Sequence, residues 1–228
     1  DRGYRKIPHK APLRENLAWC MIRESGYDGT MPLYDPMCGS GTLAIEAALI
    51  ATNRVPGLLR DNFCFNHLIG FDNELWQNMR GQAHKASNKK KPAPIIASDI
   101  DPQAVEAAQK NARTAGVEQL IEFHTCDFAA TPMPAEPGII MLNPEYGQRL
   151  GEIQELEKDY TRLGDFFKQS CPGYKGYIFT GNPELAKKVG LKTKRKIPFY
   201  NADIECRLLE YELYCGTKKI KEKDLETT

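Results

Sequence analysis

Residues 32–52, PLYDPMCGSGTLAIEAALIAT, constrain the chain most. Leu33 and Tyr34 read as a short apolar strand, the glycine-containing stretch DPMCGSG as a tight turn, and the alanine-rich run from Thr42 to Ala51 as a helix. A strand, a glycine turn and a helix in that order make the first half of a βαβ unit, which commits the strand to a largely parallel sheet. The rest of the chain keeps the alternation. A lead-in helix is predicted over 13–25, stopped by Gly26, and strands over 95–98, 120–124, 138–142 and 175–179. Helices are predicted over 74–87, 102–116, about 152–170 and 183–189, with an irregular stretch over 53–71. Two final strands, near 192–198 and 206–214, have no helix between them and should pair as an antiparallel hairpin at the sheet edge. The expected fold is therefore α/β and Rossmann-like, a mainly parallel seven-stranded sheet ending in an antiparallel hairpin, with ligands at the carboxyl ends of its strands. The domain reading is a lead-in segment over 1–30, a main domain over 31–216 with an insertion at about 53–90, and a charged tail over 217–228.

Composition narrows the function classes without choosing one. With 228 residues, 41% of them hydrophobic, the chain can bury one substantial core. Its 31 Lys plus Arg against 30 Asp plus Glu give a net charge of +1, so nucleic-acid affinity would have to come from local patches or another domain. Seven scattered cysteines without a C-x-x-C pair fit reduced thiols, and four dispersed histidines lack metal-ligand spacing, so no metal is expected. No apolar run is long enough to cross a bilayer, and the expected location is cytoplasmic. The opening DRGYRKIPHKAP, which does not begin with Met, reads as the continuation of a longer protein. Lys85 with Lys89, Lys90 and Lys91, and then Lys187, Lys188, Lys192, Lys194, Arg195 and Lys196, form two basic stretches; the second could touch phosphates or simply be solvated.

Four local motifs carry chemistry. DPMCGSGTLA fits G-x-G-x-x-A through Gly39, Gly41 and Ala44, which lets backbone approach a ligand and helix pack closely on strand. In SDIDP, Asp99 closes a strand where a carboxylate can accept two ribose hydroxyl protons; Asp72, in GFDNE, is a rival placed less favourably for sheet packing. Asp127 in CDF is suited to accept from an adenine amino group with Phe128 against the ring. NPEYG, residues 143–147, ends the apolar run GIIML. An aryl amine is a poor nucleophile because its lone pair spreads into the ring. The side-chain carbonyl of Asn143 and the main-chain carbonyl of Pro144 can accept its protons and turn that lone pair toward a methyl sulfonium, while Tyr146 stacks on an extruded base. Cys38 lies inside the glycine turn and NPEYG holds no cysteine, which argues against thiolate attack on a pyrimidine ring.

These motifs in this order, with RGYR, APLREN at 11–16, SDIDPQAVEAAQKNARTAG, the run at 143–150 and NADIECRL at 201–208, resemble the RlmL-type guanine-N2 methyltransferases of large-subunit ribosomal RNA, over nearly the whole chain. The resemblance implies a class I S-adenosylmethionine-dependent fold, a 23S ribosomal RNA substrate and an upstream RNA-binding THUMP domain. It implies cofactor contacts at Asp35, Cys38, Gly39, Ser40, Gly41, Thr42, Asp99, Ile100, Asp127, Phe128 and Asn143, with Ala11, Pro12 and Leu13 beside the methionine end. Asn143, Pro144 and Tyr146 are the implied catalytic residues. The family pattern is NPPY, and Glu145 stands here in place of the second proline; it either accepts from the guanine edge or faces solvent. Because the motif senses a planar amine, tRNA guanine, DNA adenine N6 and a glutamine amide remain rival acceptors. A non-catalytic RNA-binding module is the rival from another class.

Overall fold

The computed structural model describes residues 2–7, 13–87, 91–134, 136–147 and 150–214, with backbone alone for residues 150–153. The chain divides into two compact units, Asp1–Pro134 and Ala135–Thr228. The domain expected over 31–216 runs through that division. Seven strands form a mixed sheet, mostly parallel, with an antiparallel terminal hairpin.

The first unit contains α1 (Glu15–Glu24), β1 (Leu33–Asp35), α2 (Thr42–Ala51), α3 (Asn73–Ala86), β2 (Ile95–Asp99), α4 (Pro102–Thr114) and β3 (Ile121–Thr125). β1, β2 and β3 are parallel, with β2 in the middle. β1 is buried at every residue and β2 at all but its last, which explains why both read as continuous apolar runs rather than alternating ones. Eight of the ten residues of α2 are buried, so its small alanines are a packing requirement. α1 lies against it. α4 is amphipathic, burying Ala104, Val105, Ala107, Ala108, Asn111 and Ala112. Asp101 caps this helix by accepting from the Gln103 amide, and Pro102 opens its first turn, which leaves the Asp99 carboxylate free of that duty.

Between α2 and β2 the described backbone is irregular at first and then helical. Two short 3-10 turns at Pro56–Leu59 and Cys64–His67 precede α3, none of whose residues is buried. Three rings of this stretch form an aromatic cluster without being buried: Phe65 stacks on Phe63 at 5.0 Å and meets Trp76 edge-on at 5.0 Å.

The second unit contains β4 (Ile139–Leu142), α5 (Leu150–Ser170), β5 (Lys175–Thr180), α6 (Pro183–Lys188), β6 (Arg195–Asn201) and β7 (Ile204–Glu212). β4 and β5 are parallel, and β7 pairs antiparallel with both β5 and β6. The terminal hairpin is therefore present, but its bounds differ from the sequence reading. β6 runs to Asn201, β7 starts at Ile204, and only Ala202 and Asp203 turn between them, Ala202 with a φ of 55°. The polar run NADIE has weak strand propensity, and pairing across the hairpin overrides it.

Candidate active site

The carboxyl ends of β1 and β2, and the turn after β3, bring three acids to one edge of the first unit. Register places Asp35 beside Ala97 and Asp99 beside Thr125, and Asp127 follows at the start of a short 3-10 turn, accepting from the Ala129 amide at 3.0 Å. The glycine turn leaves β1 and is tied to β2: the Cys38 amide donates to Ser98 O at 2.9 Å, and the Gly39 amide to Asp99 Oδ2 at 2.9 Å. Gly39 has a φ of 51°, and a Cβ built there would meet nothing within 4 Å. Gly41 has a φ of 82°, and its Cβ would lie 2.8 Å from the Ala108 Cβ. One glycine thus leaves open space and the other lets α2 start against α4.

Asp99 Oδ1 also accepts the Asp101 amide at 3.0 Å. Two amides occupy two of about four acceptor positions on an ionised carboxylate, which leaves capacity for ribose hydroxyls. Asp72, the rival, caps α3 instead, accepting from the Leu75 amide at 2.8 Å. Ile100 beside Asp99 is 70% exposed, an apolar surface facing outward. Phe128 is different: at 6% exposure it belongs to the core and has little ring face to offer a ligand, so the apolar surface at this edge is Ile100.

Asp35 is fully buried, and neither oxygen has a hydrogen-bond partner among the described residues. Burial, with the Asp99 carboxylate adding to it, pushes its carboxyl up to about 8; the Ala44 and Met37 amides oppose the rise without closing a well-formed bond. A buried acid left without a partner fits a site that receives a cation. Cys38 is buried, and burial together with the Asp35 and Asp99 carboxylates holds its thiol protonated. Ser40 and Thr42 are buried too. Leu13 is buried and its carbonyl accepts from Arg5 Nη1 at 2.5 Å; Ala11 and Pro12 lie outside the described residues.

The leading segment is fastened to this unit by contacts that sequence reading missed. Arg2 and Tyr4 both reach Glu46 on α2, with Tyr4 Oη donating to Oε1 at 2.8 Å. Glu46 is wholly buried, and burial raises its carboxyl to about 7 against the pull of Arg2 and Tyr4. RGYR was legible as a motif, but its partner lies more than forty positions away.

In the second unit, NPEYG follows β4. Asn143 Oδ1 is buried and has no hydrogen-bond partner among the described residues. Pro144 is buried and Glu145 exposed. Tyr146 is held from two sides: Asn201 Nδ2 donates to its hydroxyl at 3.0 Å, and Asn182 Nδ2 to its carbonyl at 3.5 Å. Burial raises its phenol above the ordinary range, so the ring is neutral. Asn201 explains part of the NADIECRL segment, whose role the sequence alone did not reveal. In the second basic stretch, Lys187, Lys188, Lys194 and Arg195 each pair with a glutamate, so much of its charge is met within the chain. Among the described residues no His, Cys, Asp or Glu cluster could hold a metal ion, and no helix is long and apolar enough to cross a membrane.

The chain is similar to several known proteins. A protein of Synechocystis sp. named "Putative RNA methyltransferase" is 38% identical over 213 residues, 93% of this chain and 56% of its own length. A ribosomal RNA large subunit methyltransferase K/L of Shewanella baltica is 39% identical over 223 residues, 96% of this chain and 32% of its own. The chain thus spans between a third and rather more than half of these relatives. The crystal structure of SMU.472, solved in complex with SAH, superposes with a TM-score of 0.86 at 30% identity, covering 95% of this chain and 56% of that one. The model of the RMKL-like methyltransferase domain, UPF0020, matches residues 2–210. A match over nearly the whole chain places it in that methyltransferase family.

Proposed function

We propose that the chain binds S-adenosylmethionine through its first unit and methylates the exocyclic N2 of a guanine in large-subunit ribosomal RNA. The observation that carries the reading is Asn143 Oδ1, a buried acceptor without a partner among the described residues, in an N-P-x-Y motif at the end of a strand. An unpaired buried carbonyl is costly unless a ligand completes it, and a planar amine supplies the missing proton. The likeness to SMU.472, whose structure holds SAH, supports the cofactor. The names of the relatives support RNA as the acceptor.

When bound, the cofactor supplies a methyl group on a sulfonium, which leaves as a neutral thioether. Asp99 would hold the ribose hydroxyls, Asp127 the adenine amino group, and Ile100 would offer the base an apolar surface. Asp35 and the open side of Gly39 would receive the methionine portion. Asn143 Oδ1 and the Pro144 carbonyl accept the two protons of the acceptor amine and orient its lone pair, and Tyr146 stacks on the guanine. The amine then loses one proton to water; no covalent enzyme intermediate is needed, in keeping with the protonated Cys38. In the whole protein, a THUMP domain would bring the RNA.

Incubation with methyl-labelled cofactor and RNA from a strain lacking the protein tests the acceptor class, with DNA and protein fractions in parallel. Label in large-subunit ribosomal RNA is expected, and Asn143→Ala should abolish it. Label only in tRNA, DNA adenine or protein glutamine would replace the substrate assigned here. Cofactor binding without transfer to any fraction would favour a binding module.

A further inference from the structure

One buried side chain joins the leading segment to the glycine turn. Asn111, on the inner face of α4, is fully buried. Its Oδ1 accepts the Lys6 amide at 3.0 Å and the Ile7 amide at 3.1 Å. Its Nδ2 donates to Ile7 O at 2.9 Å and to Ser40 O at 3.1 Å. A carboxamide has two donors and two acceptor lone pairs, so this group is saturated. Three of its bonds hold the backbone of residues 6–7, and the fourth holds the turn between Gly39 and Gly41. Ala108, one helical turn earlier on the same face, is the residue against which Gly41 packs.

Only a carboxamide offers two donors and two acceptors together, and a glutamine would carry the group one methylene further out. An aspartate would keep the oxygen that accepts from the two amides but set its second oxygen against the Ile7 and Ser40 carbonyls, losing both donors; an alanine would strand two amides and two carbonyls in the interior. The tie has a direction of use. Arg5, next to the tied residues, also holds the Leu13 carbonyl and pairs with Glu15 at 3.5 Å. A shift of Ser40 therefore reaches residues 6–7 through one amide group, and the Leu13 carbonyl through Arg5.

We propose that Asn111 is a positioning residue that couples cofactor binding at the glycine turn to the order of the leading segment. The proposal rests on the reading of that turn as the S-adenosylmethionine site. Occupancy of the turn steadies Ser40, hence Asn111, hence residues 6–7; loss of the carboxamide separates the two halves of this site.

The test uses Asn111→Asp in the full chain, with S-adenosylhomocysteine as the probe. Calorimetry should show affinity reduced roughly ten- to a hundredfold, the effect of losing two or three hydrogen bonds. With methyl transfer as readout, KM for the cofactor should rise by a similar factor while kcat at saturation changes little. Trypsin cleavage after Arg5 or Lys6 should be slowed by the probe in the parent and be indifferent to it in the variant. Val105→Ala, which removes buried volume from α4 without touching the carboxamide, controls for lost stability and should keep both affinity and protection. Asn111→Ser is read by the same assays should the aspartate variant fail to fold. Equal affinity and equal probe-dependent protection in parent and Asn111 variants would overturn the proposal, as would the same losses in Val105→Ala. A parent that does not bind the probe at all would instead overturn the cofactor reading.

Discussion

Asp35→Asn should make the ligand-free domain less sensitive to alkali while weakening its hold on the cofactor. In the folded chain burial and the neighbouring Asp99 carboxylate raise the Asp35 carboxyl from 3.8 to about 8. A folded-state value above the unfolded one means that the native state keeps a proton the unfolded state gives up. Stability from the neutral acid is therefore complete below about pH 4 and is lost as pH rises through about 8. At about 1.36 kcal/mol per unit, the full span has a ceiling of roughly 5 to 6 kcal/mol, which relaxation of the site would reduce. Between pH 6 and 8 the parent should lose about 2 kcal/mol that the asparagine variant does not. The offset from burying an amide in place of a carboxyl is independent of pH and cancels from that difference. Urea unfolding of both proteins at pH 5 to 9, without ligand, measures it. Calorimetry at pH 7 in buffers of different ionisation enthalpy adds a second reading: the parent should release a proton as the sulfonium ligand binds, and the variant should not. Parallel stability profiles for the two proteins would refute the assignment of a neutral, buried Asp35.

Three further outcomes follow from the geometry. Gly41→Ala should destabilise the chain by about 2 to 4 kcal/mol, because it combines a positive φ with a Cβ pressed on Ala108, and cofactor affinity should fall with it; urea melts and calorimetry check both. Asn201→Ala, which removes the donor to the Tyr146 hydroxyl, should lower kcat roughly tenfold with little change in cofactor Kd, a split visible in steady-state methylation kinetics. Cys38→Ser should keep activity within a few-fold, since the thiol is protonated and attacks nothing; a loss beyond about a hundredfold in labelled transfer would contradict that role.

Much of this fold was written locally. The α2 helix runs over the alanine-rich stretch assigned to it, and each of the seven expected strands has a counterpart, β6 being the one without an apolar run. The parts that escaped are those decided by distant residues. β6 and β7 extend into the polar NADIE stretch because each supplies the other's hydrogen bonds. The carboxamide of Asn111 bonds to residues 6 and 7, about a hundred positions away, and no local pattern distinguishes it from any helical asparagine. Asn201 reaches Tyr146 across 55 positions in the same way. The candidate site divides likewise: the glycine turn and the acids at the strand ends were legible because turn chemistry and strand ends are local. Which way Phe128 faces depended on packing.

The proposed acceptor is the exocyclic amine of guanine. Unmodified large-subunit ribosomal RNA, treated with the chain and methyl-labelled S-adenosylmethionine, then digested and resolved as nucleosides, tests it most directly. Label co-eluting with N2-methylguanosine is the predicted result. Label in a ring-carbon or ribose methylated nucleoside, with none in N2-methylguanosine, would contradict it.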